Sequence, residues 1–134
     1  MNEAEAREFI RRSHKAVLTT IRRDGRPQMS NISYLLDHDD RIKISVTETR
    51  AKTKNLRRDP RAGLSIQGDN WYQYICVDGR ATIKSGPPLA DLRHVYERIA
   101  GKPHPNWEEF DRAMIDDQRC LLEITIDRIY PLTQ

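Results

Sequence analysis

Hydrophobic positions along this chain change period several times, and each change marks an element. Ala6, Phe9 and Ile10 recur at helical spacing behind Asn2 and Glu5, which form an Asn version of the capping box. A first helix ending near Ser13 is predicted. From Lys15 the period drops to two: Val17, Thr19 and Ile21 alternate with Ala16, Leu18 and Thr20, and Asp24-Gly25 supplies the residues a tight hairpin favours. The return strand, Gln28 to Leu36, follows Pro27. It carries Gln28, Ser30, Asn31 and Ser33 in a run expected to be half buried, where polar groups need partners. After a turn at Asp37-His38-Asp39-Asp40, Ile42, Ile44 and Val46 alternate with Lys43, Ser45 and Thr47 as a third strand.

Beyond a polar stretch from Arg50 to Arg61, Ala62, Leu64 and Ile66 alternate with Gly63, Ser65 and Gln67, and Gly68-Asp69-Asn70 turns the chain into Trp71 to Val77. Gly79 reads either as part of a hairpin turn with Asp78 or as a bulge in one long bent strand reaching Lys84, the second being favoured. Pro87-Pro88 opens a helix with Leu89, Leu92, Tyr96 and Ile99 on one face and Gly101 at its end. A shorter helix after Asn106 has Trp107, Phe110 and Met114 as its stripe. The last strand runs from Cys120 to about Ile126, and Tyr130-Pro131 closes the ordered part. About six antiparallel strands with hairpin-length connections exclude a doubly wound parallel sheet. The expected fold is mainly β: a small antiparallel β-barrel with peripheral α-helices, one domain spanning residues 1–134.

Charge changes this picture at one place. The chain has 134 residues, 32% of them charged, and a formal charge of +3. The stretch Arg50 to Arg61 holds six basic residues against one acid, leaving 17 Lys and Arg against 19 Asp and Glu elsewhere. The basic character is therefore local. The N-terminus has neither a basic start nor an apolar run, and no segment approaches the roughly 18 apolar residues of a membrane span, so a cytoplasmic protein without membrane attachment is expected. Cys76 and Cys120 lie far apart and read as small core residues. His14, His38, His94 and His104 share no ligand spacing, so no metal site is expected, and no Ser/His/Asp order or phosphate-loop glycine pattern is present.

Read as a helix from Lys52 to Asp59, stopped by Pro60, the basic stretch has one large apolar residue, Leu56, and core packing does not explain it. Its first turn offers backbone N–H groups at Ala51, Lys52 and Thr53, a Thr hydroxyl, and cations at Arg50 and Lys52, which are the parts of a phosphate site. Two other readings stand beside it. One is a solvated basic face. The other is nucleic-acid binding, with Arg57, Arg58 and Arg61 on phosphates and Trp71, Tyr72 and Tyr74 as stacking surfaces; the shortness of the basic island weighs against it. The aromatic stretch equally suits a subunit interface or a pocket wall. An anion site without an evident protein nucleophile points to chemistry performed by a bound cofactor.

Thr20 to Asn31 (TIRRDGRPQMSN), followed by Arg50 to Ala62 (RAKTKNLRRDPRA), resembles the pyridoxamine 5'-phosphate oxidase-like split β-barrel family, FMN-binding-like in fold. Within that family the resemblance is to the short branch that binds the deazaflavin coenzyme F420. It implies a homodimer with cofactor sites at the subunit interface and a small-molecule substrate. It also implies that Arg50, Lys52 and Thr53 hold the cofactor phosphate with Asn55 supporting their loop. Gln28, Ser30 and Asn31 would face the ring or its ribityl chain, Ser45, Val46 and Thr47 would form the adjoining wall, and Trp71 and Tyr74 would come from the other subunit. The chain as given ends at Gln134, without the longer basic C-terminal segment of the vitamin B6 oxidases, so oxidation of vitamin B6 is not expected. Lys54, Arg57, Arg58 and Arg61 exceed what one FMN phosphate needs, and the surplus would meet the acidic glutamyl tail of F420. The implied reaction is hydride transfer to an electron-poor double bond, the catalytic proton donor being unassigned; FMN is the alternative cofactor.

Overall fold

A computed structural model describes residues 1–133 as one eight-stranded antiparallel sheet with helices packed around it. In chain order the elements are α1 (Glu3–Arg12), β1 (Lys15–Ile21), β2 (Pro27–Ser33), β3 (Leu35–Leu36), β4 (Ile42–Thr47), α2 (Ala51–Arg58), β5 (Arg61–Gln67), β6 (Tyr74–Lys84), α3 (Leu89–Ala100), α4 (Trp107–Asp116), β7 (Arg119–Ile124) and β8 (Arg128–Tyr130). The strands follow the order β2-β1-β5-β6-β7-β4-β3, with β8 added beside β6. This is the antiparallel barrel that the alternating segments predicted, split as the family resemblance implied.

Two chain segments close it. Gln28 to Leu36, expected as one strand, divides at Tyr34: β2 pairs with β1 at one end of the sheet order, and β3 pairs with β4 at the other. Tyr34 is fully buried and donates its hydroxyl to the Ile10 carbonyl at 2.7 Å, which ties α1 to the bend. Burial raises the pKa of that phenol above its ordinary value. The second segment is β6, a single bent strand as favoured from the sequence. Its first half, Tyr74 to Arg80, pairs with β5, and its second half, Ala81 to Lys84, pairs with β7. Gly79 sits at the change of partner, where an added Cβ would lie 1.9 Å from the Thr125 carbonyl oxygen.

The core follows from the alternation. Leu18, Ile44, Val46, Leu64, Ile66, Val77, Leu122 and Ile124 point into the barrel, and α1 caps one side with Ala6, Phe9 and Ile10. The capping box forms as read: Glu5 N–H donates to Asn2 Oδ1 at 2.9 Å and Asn2 N–H to Glu5 Oε1 at 3.0 Å, a cap worth about 1 kcal/mol. A second, smaller cluster joins Leu92, Val95 and Phe110 of α3 and α4 to Leu35 and Leu121 on the outer side of the sheet.

Two expectations change. Strand β2 is not half buried; it is a sheet edge whose residues alternate between partly and fully exposed, so its polar side chains are reached by solvent. The final strand ends at Ile124, and the chain makes one further strand, β8, which pairs with Cys76 to Asp78. Three residues, Arg128-Ile129-Tyr130, are too few to show a period in the sequence.

Gly79→Ala is expected to destabilise the chain by about 3 kcal/mol or more, because the clash is with backbone on a strand held by both neighbours. Urea unfolding followed by circular dichroism checks this; an unchanged midpoint would show that the strand crossing does not depend on Gly79.

Candidate functional site

Three residue types converge where the barrel splits. On β4, Ile42, Ile44 and Val46 face the core, so the pleat sends Lys43, Ser45 and Thr47 to the opposite face. On the paired strand β7, Arg119 stands opposite Thr47 and Leu121 opposite Ser45. Helices α3 and α4 cover Leu121 and stop short of the other end, leaving a cavity of about 620 Å³. Its floor is Ser45, Thr47 and Arg119, its rim is Asn31 and Ser33 of β2, and its far wall is apolar: Leu92, Val95, Tyr96 and Ile99 from α3 with Phe110 and Met114 from α4.

The start of α2 supplies the charge. The helix opens directly after β4, with Arg50 as a cap residue whose side chain makes no capping hydrogen bond. Arg50 and Lys52 both line the cavity beside Arg119, and no Asp or Glu is among the lining residues. Burial, and then the neighbouring charges of Arg50 and Arg119, push the Lys52 ammonium below its usual pKa. A cation held where its charged form is disfavoured is a site asking for an anion.

The structure brings together Asn31, Ser45, Val46, Thr47, Arg50 and Lys52. Val46 has its side chain in the core, so what it offers the cavity is main chain. Thr53 is placed otherwise than its motif implies: it is fully buried, its hydroxyl donates to the Thr47 carbonyl at 2.8 Å, and its N–H bonds to the Arg50 carbonyl. It shapes the turn between β4 and α2. Asn55 is buried and ties α2 to β1, donating to Thr20 Oγ1 at 3.1 Å and accepting from Arg58. Gln28 and Ser30 pair with Thr20 and Leu18, on the inward side of β2, whereas Asn31 points outward; the three do not share a face. Gln28 accepts from Arg22, and neither Gln28 nor Ser30 lines the cavity. Trp71 and Tyr74 lie outside the cavity, Trp71 being 79% exposed.

The second half of the basic stretch is largely matched within the chain. Arg57 pairs with Glu48, Arg61 pairs with Asp59, and Arg58 donates to the Ile21 carbonyl. Arg119, by contrast, was invisible in the sequence. It lies 69 positions after Arg50 in the numbering, outside the basic stretch, and reaches the cavity only because β7 pairs with β4. Its guanidinium bonds the Ser45 carbonyl at 3.4 Å and the exposed Asp117 at 3.2 Å.

The sequence profile described as Pyridoxamine 5'-phosphate oxidase matches residues 3–133. The chain belongs to that family. Among individual proteins of the pyridoxamine 5'-phosphate oxidase family and its fold, it is similar to the F420H(2)-dependent biliverdin reductase of Mycobacterium tuberculosis, at 26% identity over 130 residues, covering 93% of this chain and 84% of that protein. It is also similar to the solved structure of a conserved hypothetical protein from Mycobacterium tuberculosis, with TM-score 0.77 and 27% identity over 100% of this chain and 91% of the other. An F420 reductase structure superposes with TM-score 0.70 at 23% identity, covering 92% of this chain and 94% of that one; this likeness concerns the fold.

The roles of Lys52 and Thr53 separate experimentally. Lys52→Gln is expected to leave the unfolding free energy of the ligand-free chain unchanged or slightly raised, since it removes a disfavoured charge. Thr53→Val, which leaves the buried Thr47 carbonyl without its donor, is expected to lower it by about 1–3 kcal/mol. Chemical denaturation of both variants reads the contrast, and a loss of stability in Lys52→Gln would contradict the reading of the cation cluster.

Proposed function

We propose that the chain is one subunit of a homodimeric F420-dependent reductase whose cofactor phosphate lies against Arg50 and Lys52. The observation that carries this reading is the group of three cations, Arg50, Lys52 and Arg119, lining a cavity with no acid and with an apolar wall opposite. An anionic group at one end and a planar ring against the other match that division. The residues present fit the group: the first N–H groups of α2 and two cations suit a phosphate, and Ser45 and Thr47 offer polar atoms along its length.

When bound, reduced F420 supplies a hydride for an electron-poor double bond. The chain's own contribution is positional. Arg50 and Lys52 fix the anionic end, β4 sets the depth of the ring, and Leu92, Tyr96, Ile99 and Met114 exclude water from the far side, where a small organic substrate would stack. No side chain in the cavity is assigned as proton donor, and a solvent proton serves.

The preference for F420 over FMN rests on the similarity to the biliverdin reductase and on where the positive charge lies. Arg57 and Arg61 are paired internally, and Arg119 lines the cavity while keeping its exposed partner Asp117, so the surplus beyond one phosphate is represented by the cavity-facing side of Arg119 and by Lys54, which is exposed. These are the groups proposed to meet the acidic tail.

The dimer is supported by surface. The chain exposes 8208 Å², where a compact monomer of this size exposes roughly 7,300 Å². Part of the difference lies in Met29, Trp71, Tyr72 and Tyr74, all more than 40% exposed. In the proposed assembly Trp71 and Tyr74 complete the cavity of the second subunit.

Titration of the purified protein with both flavins is expected to give tighter binding of F420 than of FMN. The Lys52→Ala variant should weaken F420 by about 1.5–3 kcal/mol, roughly 10–150-fold. FMN binding that matched or exceeded F420 would replace the cofactor while leaving the site. In sedimentation, the protein is expected to run as a dimer, and Trp71→Ala to lose F420 affinity while remaining folded; a monomer that binds F420 as tightly would remove the shared site.

A further inference from the structure

On the side of α3 away from the cavity, one buried carboxylate gathers two imidazoles. Asp37, in the turn between β3 and β4, is 1% exposed. Its Oδ1 lies 2.8 Å from His38 Nδ1 and its Oδ2 lies 2.9 Å from His94 Nε2, although His94 comes 57 residues later. The three ligand atoms lie within 4.8 Å of one another. His38 and His94 stand edge to face, with ring centroids 6.3 Å apart, and their side chains are 79% and 40% exposed, so the cluster is open to solvent on one side.

We propose that Asp37, His38 and His94 form a binding site for a divalent zinc-type cation that clamps the β3–β4 turn to α3. Two ring nitrogens and one carboxylate oxygen, with an open fourth position, are the donor set that Zn²⁺ takes and that hard cations such as Ca²⁺ and Mg²⁺ do not. As the cluster stands, each of these ring nitrogens lies at hydrogen-bond distance from a carboxylate that only accepts, so it carries the hydrogen; Zn²⁺ would take that hydrogen's place between ring and carboxylate, leaving each ring with a hydrogen on its other nitrogen. Asp37 also accepts from the Lys43 ammonium at 2.8 Å and from the His38 backbone N–H at 2.9 Å, contacts that fix the direction of its carboxylate.

Lys43 is the rival cation, and its place is specific. Its ammonium lies 2.8 Å from Asp37 Oδ2 and 3.1 Å from Asp39 Oδ2. Asp39 therefore matches its charge, and Oδ1, on the His38 side, has no Lys43 contact among the described residues. With that oxygen as the metal ligand, Lys43 remains as the partner that orients the carboxylate from behind. The clamp acts on a helix that matters: His94 immediately precedes Val95 and Tyr96, which line the cavity on the other side of α3. A metal here would hold the apolar wall against the barrel without touching a cofactor.

The test uses the full chain stripped of metal by chelator and dialysis, with Zn²⁺ or Co²⁺ as the probe. Calorimetry with Zn²⁺ is expected to give one saturable site per chain and a rise in the unfolding temperature, and Co²⁺ to give visible absorption bands of a low-coordinate nitrogen and oxygen site. His94→Gln and His38→Gln should each weaken binding by at least about tenfold, and together abolish it. His38 is mostly exposed, so its variant folds and keeps the comparison sharp even if the His94 variant is destabilised. Absence of saturable binding in the unaltered chain overturns the proposal, as does binding that His38→Gln leaves unchanged.

Discussion

The strand crossing at Gly79 is the constraint on which the rest of the molecule depends. Strand β6 leaves β5 and joins β7 within a few residues, and at the crossing its backbone comes so close to Thr125 that no side chain fits. Because β7 is thereby delivered beside β4, Arg119 stands opposite Thr47. The cavity floor, the third cation and the covering of Leu121 by α3 and α4 all follow from that pairing. A one-residue slip of β7 against β4 would exchange the two faces of the strand, taking Leu122 and Ile124 out of the core and Arg119 away from the cavity, so core and site depend on the same register.

Much of the fold was legible because the chain states it in periods. Alternation in β1, β4, β5 and β7 and the stripes of α1, α3 and α4 each name a buried face, and Asn2 with Glu5 names a helix start. The site was legible only in the part that is contiguous. Arg50 and Lys52 follow β4 directly, so an isolated charge island marked them. Arg119, and the meeting of His38 with His94 at Asp37, depend on strand pairing and on the packing of α3, for which linear spacing carries no signal. Thr53 shows the converse. A residue of the right type at the right place in a phosphate-like motif faces inward, because its hydroxyl satisfies the carbonyl that ends β4.

The basic stretch combines two physical roles. Arg57 and Arg61 are held by Glu48 and Asp59, and Arg58 by main chain, so this half secures α2 to the barrel. Surface pairs of this kind contribute about 0–1 kcal/mol each, and their value lies in geometry: they fix the helix whose first turn meets the cavity. Arg50 and Lys52 have no such partners among the described residues, and with Arg119, which keeps its exposed partner Asp117, they raise local potential in a partly desolvated place. Folding alone gains nothing from that repulsion. In the proposed complex an entering anion would relieve it.

The opposite wall of the cavity imposes a different kind of selection. Leu92, Val95, Ile99 and Phe110 offer no donor or acceptor from their side chains, the hydroxyl of Tyr96 being the chief polar group of that wall, and a mainly apolar wall separates related substrates weakly, by about 1–3 kcal/mol for each methylene gained or lost. In the proposed complex, discrimination between substrates therefore falls to shape: to the setting of α3 against β4, and to the aromatic side chains a second subunit would bring. In that complex the charged end would select the cofactor class, and the position of α3 would set how much room remains above the ring. A device that pins α3 from its far side would thus act on substrate range before it acted on cofactor affinity, because none of the three cations is carried by that helix.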